Sequence, residues 1–389
     1  MMKKRIAIFL FIDALGWKTV KETKFLQDLL PHRRKIQMQF GYSCTAIPTI
    51  LSGLPPSEHQ HLGLFNYSPE RSPFKHLGFI GKYLMHPRSF WSRGRVRNVV
   101  SRLVKKLFGF TGYFQLYQAD FSRLHLMDYS EKKDLFVAQG MAPHQNLYDY
   151  LEQTGIPFHI SNWRKPAFEN LETGLQLVEQ EKVDFMFLYV ANFDALEHDH
   201  PEEMDVLMPM LEHYEKAIRA LMDAGKKHYE NCEFTVFSDH GMTPLTGTID
   251  PKTAIEKTDL VFGKDYGACF DSTVIRLFYH NKKAQEVIEK TLAPFVDKLR
   301  LVTKEEEKEY GVYREDRFFG NAIYLAKPGI QIVPSDMALK PLNGMHGYDP
   351  ADAYSEAAIL STEPIPEYAN SVGDYFRIMK ESAQKEVLN

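Results

Sequence analysis

The sequence predicts an α/β fold: a mostly parallel sheet sandwiched by helices, with an inserted cap subdomain. Three observations carry the sheet. Short apolar runs recur along the chain, stretches of helical periodicity lie between them, and several of the runs end on an aspartate. Short continuous apolar runs suit strands covered on both faces, and their alternation with helices argues for parallel pairing. Strands are expected over 5–12, 158–161, 184–190, 233–237, 272–278 and 330–333, and helices over 142–154, 168–181 and 203–224.

The first run follows Lys3-Lys4-Arg5 and imitates a signal peptide. Asp13 ends it and no small-residue cleavage site follows, so it is read as a buried strand and the protein is expected in the cytoplasm. With 389 residues, 44% of them apolar, the chain can bury a large core. A net charge of -4 gives no global case for nucleic-acid binding. Cys44, Cys232 and Cys269 form no CxxC pair, which disfavours a cysteine zinc site and suits a reducing compartment. No run of apolar residues is long enough to span a bilayer.

One interval stands apart. From Arg71 to Ala119 there is no Asp or Glu, while ten Lys and Arg residues fall there. The chain is read as one catalytic domain over 1–389 with a basic cap inserted at 68–140. Inside the cap, Val96, Val99, Val100, Leu103, Val104, Leu107 and Phe108 recur at helical spacing, and Arg95, Arg97, Arg102, Lys105 and Lys106 fill most other positions. That pattern predicts a basic amphipathic helix. The acidic stretch 304–310 reads as a solvated helix face.

Ligands of open α/β sheets bind beyond the carboxyl ends of the strands. Asp13, Asp194 and the pair Asp239-His240 all follow predicted strands. One such aspartate is ordinarily a helix cap; three on one rim, with histidines attached, point to a metal site. Asp194 and His198 are i and i+4, so they share a helix face and can grip one ion; His200 is the alternative that spacing disfavours. His346 lies in the glycine-flanked loop Asn343-Gly344-Met345-His346-Gly347-Tyr348, where glycine permits close backbone approach. The hydroxyl-rich stretch 41–59 turns at Gly53 and Pro55-Pro56. Ser43, Cys44 and Thr45 are all candidates for a metal-activated nucleophile, and residue type alone does not choose among them.

These pieces resemble the alkaline phosphatase superfamily, and within it the type I phosphodiesterase / nucleotide pyrophosphatase branch with its phosphonoacetate hydrolase-like relatives. The matching segments, in family order across 11–350, are FIDALGW, SCTAIPTILSGLPPSEH, FDALEHDH, FSDHGM and GMHGYDP. The resemblance implies that Asp13, Ser43, Asp239 and His240 surround one metal ion and that Asp194, His198 and His346 hold the other. It puts the nucleophile ten residues before the glycine of an (S/T)-G-L-x-P turn, which from Gly53 gives Ser43, where the branch usually has Thr. A phosphate-contacting Asn of the family matches Asn66 only with two residues inserted near Gln60-His61. The sulfatase signature needs a Pro and an Arg that Cys44-Thr45-Ala46-Ile47-Pro48 does not supply.

The implied activity is metal-dependent hydrolysis of a phosphodiester or pyrophosphate through a phosphoserine intermediate. Two Zn2+ ions, or Mn2+, suit the Asp, His and Ser donors. Such ions, about 3.5–4 Å apart, stabilise both the attacking and the leaving oxygen of an in-line displacement. A phosphomonoesterase or a phosphonate hydrolase would use the same metals, and a catalytically idle binding module would keep the same fold. The expected partner is a small-molecule or lipid-linked phosphate ester, and no nucleic acid is expected. The basic helix over 94–110 is either a cap helix or a membrane-surface helix gripping anionic lipid, with Phe90, Trp91, Phe108 and Phe110 at its ends. In both cases the interval should overhang the site and draw anions to it.

Overall fold

The structure, a computed structural model, describes residues 3–77 and 93–387. Its central sheet has six strands, ordered His32–Ile36, Ala357–Ser361, Tyr229–Phe237, Lys3–Ile12, Phe185–Val190 and Phe158–Ile160. The last four run parallel. Ala357–Ser361 is antiparallel to both its neighbours, so the sheet is mixed at one side.

Alternate side chains of a strand enter opposite faces, and each face here has its own core. Ile8, Leu10 and Ile12 pack with Leu188, Leu211 and Tyr214 on one side. Phe9, Phe11, Phe187 and Phe237 pack with Ile50 and Met379 on the other. Each such side chain contributes about 1.5–3 kcal/mol by leaving water. Lys3–Ile12 is buried on both faces along most of its length, which explains why it reads as one apolar run rather than as an alternation.

The helices Leu147–Thr154, Ala167–Glu179 and Met204–His228 match the predicted periodicities. The first starts at Leu147, later than expected, because the Asn146 side chain accepts from Asp149 N and caps it there. Two expected strands lie outside the central sheet. Val274–Tyr279 belongs to a four-stranded antiparallel sheet with Tyr266–Phe270, Ala322–Ala326 and Leu299–Leu301, and Ile330–Ile332 pairs with Gly247–Ile249. The acidic stretch forms the helix Lys304–Glu309, but not with a wholly solvated face: Glu307 is buried and pairs with Arg317 at 2.8 Å.

In the 68–140 interval, Met127–Tyr129 pairs antiparallel with Phe65–Tyr67, and Phe65, Phe74, Phe114, Leu116 and Tyr129 share a core. The expected amphipathic helix is present as Gly94–Phe108; Phe90 and Trp91 lie outside the described residues. Its apolar residues do not form one face. Val100, Val104 and Phe108 pack inward, whereas Val99, Leu103 and Leu107 are 56%, 62% and 73% exposed. Arg97 is on the inner side, donating to the Tyr117 and Ala119 carbonyls at 2.8 and 3.0 Å. Among the described residues no helix is long and apolar enough to cross a membrane.

Candidate active site

Strand register builds the site. Ile12 lies opposite Val190, and Phe11 opposite both Tyr189 and Phe237. The residues that follow these strands therefore emerge on one rim: Asp13, then the helix Asn192–Asp199 with Asp194 and His198, then Asp239 and His240. The loop around Gly344–Met345, held by Thr243–Pro244, brings His346 to the same place.

Two groups of donor atoms result, Asp13 with Asp239 and His240, and Asp194 with His240 and His346. His240 Nε2 lies 3.5 Å from Asp13 Oδ1 and 3.3 Å from Asp239 Oδ2. Asp194 Oδ1 lies 3.5 Å from His198 Nε2 and 3.6 Å from His346 Nε2. The His240 and His346 rings stack at 3.7 Å, so His240 links the two groups. His200, the alternative to His198, instead lies 3.3 Å from Glu203.

Backbone carbonyls orient two of the imidazoles. His240 Nδ1 lies 2.9 Å from Gly241 O, and His198 Nδ1 lies 2.9 Å from Gly344 O. With Nδ1 donating, each Nε2 offers a lone pair to the cluster, the arrangement by which an outer hydrogen bond sets a metal-binding tautomer.

Ser43 is the first residue of the helix Ser43–Ser52. Its Oγ lies 3.1 Å from His240 Nε2 and 3.4 Å from Asp13 Oδ1. Of the three hydroxyl and thiol candidates, it alone reaches the cluster. Thr45 is fully buried and accepts from Tyr42 N in the helix cap, and Cys44 lines the cavity with its thiol pushed well up by burial. Tyr42 is itself fixed, its OH 2.7 Å from Thr273 Oγ1. Gly347, at φ +85, passes so close that a Cβ would sit 2.7 Å from the Tyr42 ring.

The electrostatics of the cluster fit a cation. Burial, then Asp239 and Asp194, push Asp13 well above the usual carboxylate range; His240 and a hydrogen bond from the Tyr189 hydroxyl oppose this. Burial pushes Asp239 up to about 7. Burial, His240 and His198 hold His346 well below its usual value and therefore neutral. Asp194 Oδ1, Asp239 Oδ2 and His346 Nδ1 are buried without a hydrogen bond. Crowded buried carboxylates and orphaned donors are costly unless a positive charge completes them, and nitrogen with carboxylate oxygen is a donor set for zinc or manganese.

Asn66 is not at this cluster. It lines a separate cavity of about 330 Å³ with His59, His61 and Arg71. Its Nδ2 donates to Phe318 O at 3.0 Å, and its Oδ1 accepts from Arg276 at 3.1 Å. Arg276 in turn donates to Asp271 Oδ2 at 3.0 Å, and Asp271 does line the reaction cavity. Asn66 thus touches the site only at two removes.

Sequence reasoning passed over two residues. Tyr189 reads as one more aromatic of an apolar strand, yet its hydroxyl holds Asp13. Glu131 sits in a stretch with no distinguishing pattern, yet it lines the same cavity of about 550 Å³ as Ser43 and His346.

A family model described as type I phosphodiesterase / nucleotide pyrophosphatase matches residues 7–349. No curated protein matches the sequence. Solved structures do match in fold. Murine ectonucleotide pyrophosphatase / phosphodiesterase 5, an inactive variant in complex with AMP, is 15% identical at TM-score 0.66, over 98% of this chain and 95% of that one. The human protein of the same name is 13% identical at TM-score 0.67, with the same coverage. At such identities the likeness concerns the fold.

Proposed function

The chain belongs to the type I phosphodiesterase / nucleotide pyrophosphatase family, and from that premise we propose that it hydrolyses a phosphodiester or pyrophosphate with Ser43 as nucleophile. The observation that carries this reading is the Ser43 hydroxyl, held at a helix N-terminus 3.1 Å from His240 Nε2 and 3.4 Å from Asp13 Oδ1. Asp13, Ser43, Asp239 and His240 would hold one divalent ion, and Asp194, His198 and His346 the other. Bound there, the ions would stabilise charge on the attacking and leaving oxygens and favour the Ser43 alkoxide.

The protein's own groups do the rest. Tyr189 fixes one Asp13 oxygen and leaves the other towards Ser43. Gly241 O keeps the His240 proton on Nδ1. The first turn of Ser43–Ser52 puts the positive end of a helix dipole beside the phosphoryl oxygens. Ser43 Oγ bonds to phosphorus as the P–O bond to the departing group breaks, and that group takes up a proton. Water then cleaves the phosphoserine and restores the hydroxyl.

A diester fits better than the monoester and phosphonate alternatives. Among the described residues lining the cavity there is no Lys or Arg to meet the second charge of a phosphomonoester or the carboxylate of phosphonoacetate. The test is a hydrolysis screen of the zinc-loaded protein. Bis-p-nitrophenyl phosphate should be cleaved and p-nitrophenyl phosphate and phosphonoacetate should lag; the reverse order sinks the diester reading.

The cap assignment belongs to the same proposal, supported by Tyr113, Tyr117 and Glu131 reaching the cavity from within 68–140. A lipid-linked substrate is supported by the exposed stripe Val99, Leu103 and Leu107, flanked by Arg95, Arg102 and Lys106. Each basic residue near an anionic surface adds about 1 kcal/mol. Salt-sensitive co-sedimentation with anionic vesicles is the expected result, and no sedimentation at low salt removes the membrane from the reading. Three free thiols support a reducing compartment, the cytoplasm.

A further inference from the structure

The separate cavity beside Asn66 has no part in the proposed chemistry. The segment 128–135 forms a partition between it and the reaction cavity. Asp128, Ser130, Lys132 and Lys133 line the separate cavity, Glu131 lines the reaction cavity, and Leu135 lines both. The two differ in charge. Among the described residues the reaction cavity has no Lys or Arg, whereas its neighbour has Arg71, Lys132 and Lys133 against the carboxylates of Glu58 and Asp128.

Asp128 is shared between two of those cations. Its Oδ1 lies 2.5 Å from Lys132 Nζ and its Oδ2 3.6 Å from Arg71 Nε. Arg71 is further held by Gln60 Oε1 at 2.7 Å and by the Phe318 ring, whose centroid lies 4.9 Å from the guanidinium carbon. A planar donor fork is thus set in place beside two ammonium groups.

His61 is the second observation. Its Nδ1 is buried without a hydrogen bond. Burial and Lys132 push the ring down to about 4, so it is neutral near pH 7. A buried polar atom without a partner, beside a surplus of cations, points to a ligand that brings acceptor oxygens. A metal ion does not answer it. His59 is already used, its Nε2 2.9 Å from Thr49 Oγ1 and its Nδ1 accepting from His61 N at 3.1 Å. Among the described residues only the clusters at the reaction site bring three such donors within reach of one ion.

We propose that this cavity is a second ligand site, which binds a phosphate monoester between Arg71, Lys132 and Lys133 with one oxygen on His61 Nδ1. A guanidinium fork and two point charges suit the several oxygens of a phosphate better than the two of a carboxylate. The cavity, about 330 Å³ with Leu135, Met141 and Phe318 on its walls, also has room for the organic part of an ester. A phosphate monoester is the class of product that diester hydrolysis releases, but the site itself does not rest on the phosphodiesterase reading.

The probe is phenyl phosphate added to zinc-loaded protein, followed through the nitrogen-15 resonances of the histidine rings. The His61 resonance, identified by its loss in His61→Gln, should move saturably with a Kd below about 1 mM. The rings of His198, His240 and His346 report separately on binding at the reaction site. Arg71→Gln combined with Lys133→Gln should weaken the His61 response by about tenfold or more. Both side chains are exposed, the unfolding temperature shows whether the double variant is folded, and Lys133→Arg should retain the response. An unmoved His61 resonance, an unchanged Kd in the double variant, or benzoate or inorganic phosphate binding as tightly as phenyl phosphate each overturns the proposal. A His61 response in protein that cleaves no diester would keep this site and sink only the phosphodiesterase reading. Diester cleavage with an unmoved His61 does the opposite.

Discussion

The cavity has a strand-end wall and an interval wall, and the two obtain their charge in different ways. On the strand-end wall, register alone delivers Asp13, Asp239 and His240 to one point. Three carboxylates and three imidazoles gather there, and the wall is electrostatically incomplete without a cation. On the interval wall the basic sequence turns away from the ligand. Arg97 donates behind Tyr117 to its carbonyl, Lys105 is held by Gly112, and Arg95, Arg102 and Lys106 face water. What reaches the cavity is Tyr113, Tyr117 and Glu131. Among the described residues of this basic interval, no Lys or Arg lines the cavity. The net charge of a segment does not give the sign of the surface it offers a ligand, because long cations satisfy carbonyls and seek solvent.

The strongest way to break the comparison lies at the strand end. Ser43→Ala should lower kcat by on the order of 10⁴ or more, while thermal unfolding stays within a few degrees of wild type. Thr45→Ala should cost little turnover but about 1 kcal/mol of stability, because its hydroxyl serves the helix cap. Equal kinetic losses in the two variants would show that the loop, rather than the Ser43 oxygen, matters. Chelation tests the same wall as a whole. Removing divalent ions should abolish turnover and lower the unfolding temperature, and zinc or manganese should restore both. Turnover that survives exhaustive chelation would remove the metals from the reading.

The difference between the walls also explains what was legible in the sequence. Buried parallel strands must be apolar on both faces, so Lys3–Ile12 and Phe185–Val190 announce themselves; the edge strand His32–Ile36, with sequence HRRKI, does not. Asp13, Asp194 and Asp239 could be suspected because strand ends are local features and a ligand rim is where strands end. His198 followed from helical spacing. His346 and Ser43 needed the family resemblance, since a lone histidine or serine in a loop carries no pattern. Tyr189 and Glu131 had no signal at all, because their importance comes from tertiary neighbours. The helix Gly94–Phe108 was found, but its inner face was not, because burying Arg97 depends on two carbonyls that folding brings close.

Arg97 therefore offers a way to sharpen the comparison from the interval side. Arg97→Met keeps much of the side-chain volume but leaves the Tyr117 and Ala119 carbonyls without their donor. A loss of about 1–3 kcal/mol is expected for each such group left unsatisfied. Because Tyr117 lines the cavity, KM should rise while kcat moves little. A fall in kcat at constant KM would mean that the interval acts on the chemistry and not on binding, and the division between the walls would not hold.

The smallest effect concerns Glu131 and is read by pH. In the unfolded chain its carboxyl titrates near the ordinary 4.5, and in the fold it is pushed up to about 8. Between those values the folded chain holds a proton that the unfolded chain has released. Stability attributable to this group is therefore fully present below about 4.5 and is lost as pH rises through about 8. Glu131→Gln removes the titration while keeping the shape. The wild type should thus lose ground to the variant between pH 5 and pH 9. The full shift corresponds to several kcal/mol at about 1.36 kcal/mol per unit, but water entering the cavity will relax much of it. A relative fall of about 1–2 kcal/mol, a few degrees in unfolding temperature, is the expected size. Added tetramethylammonium should reduce the fall, because a cation beside Glu131 favours its charged form. Parallel curves for the two proteins across this range would mean that burial does not hold the Glu131 proton in the fold.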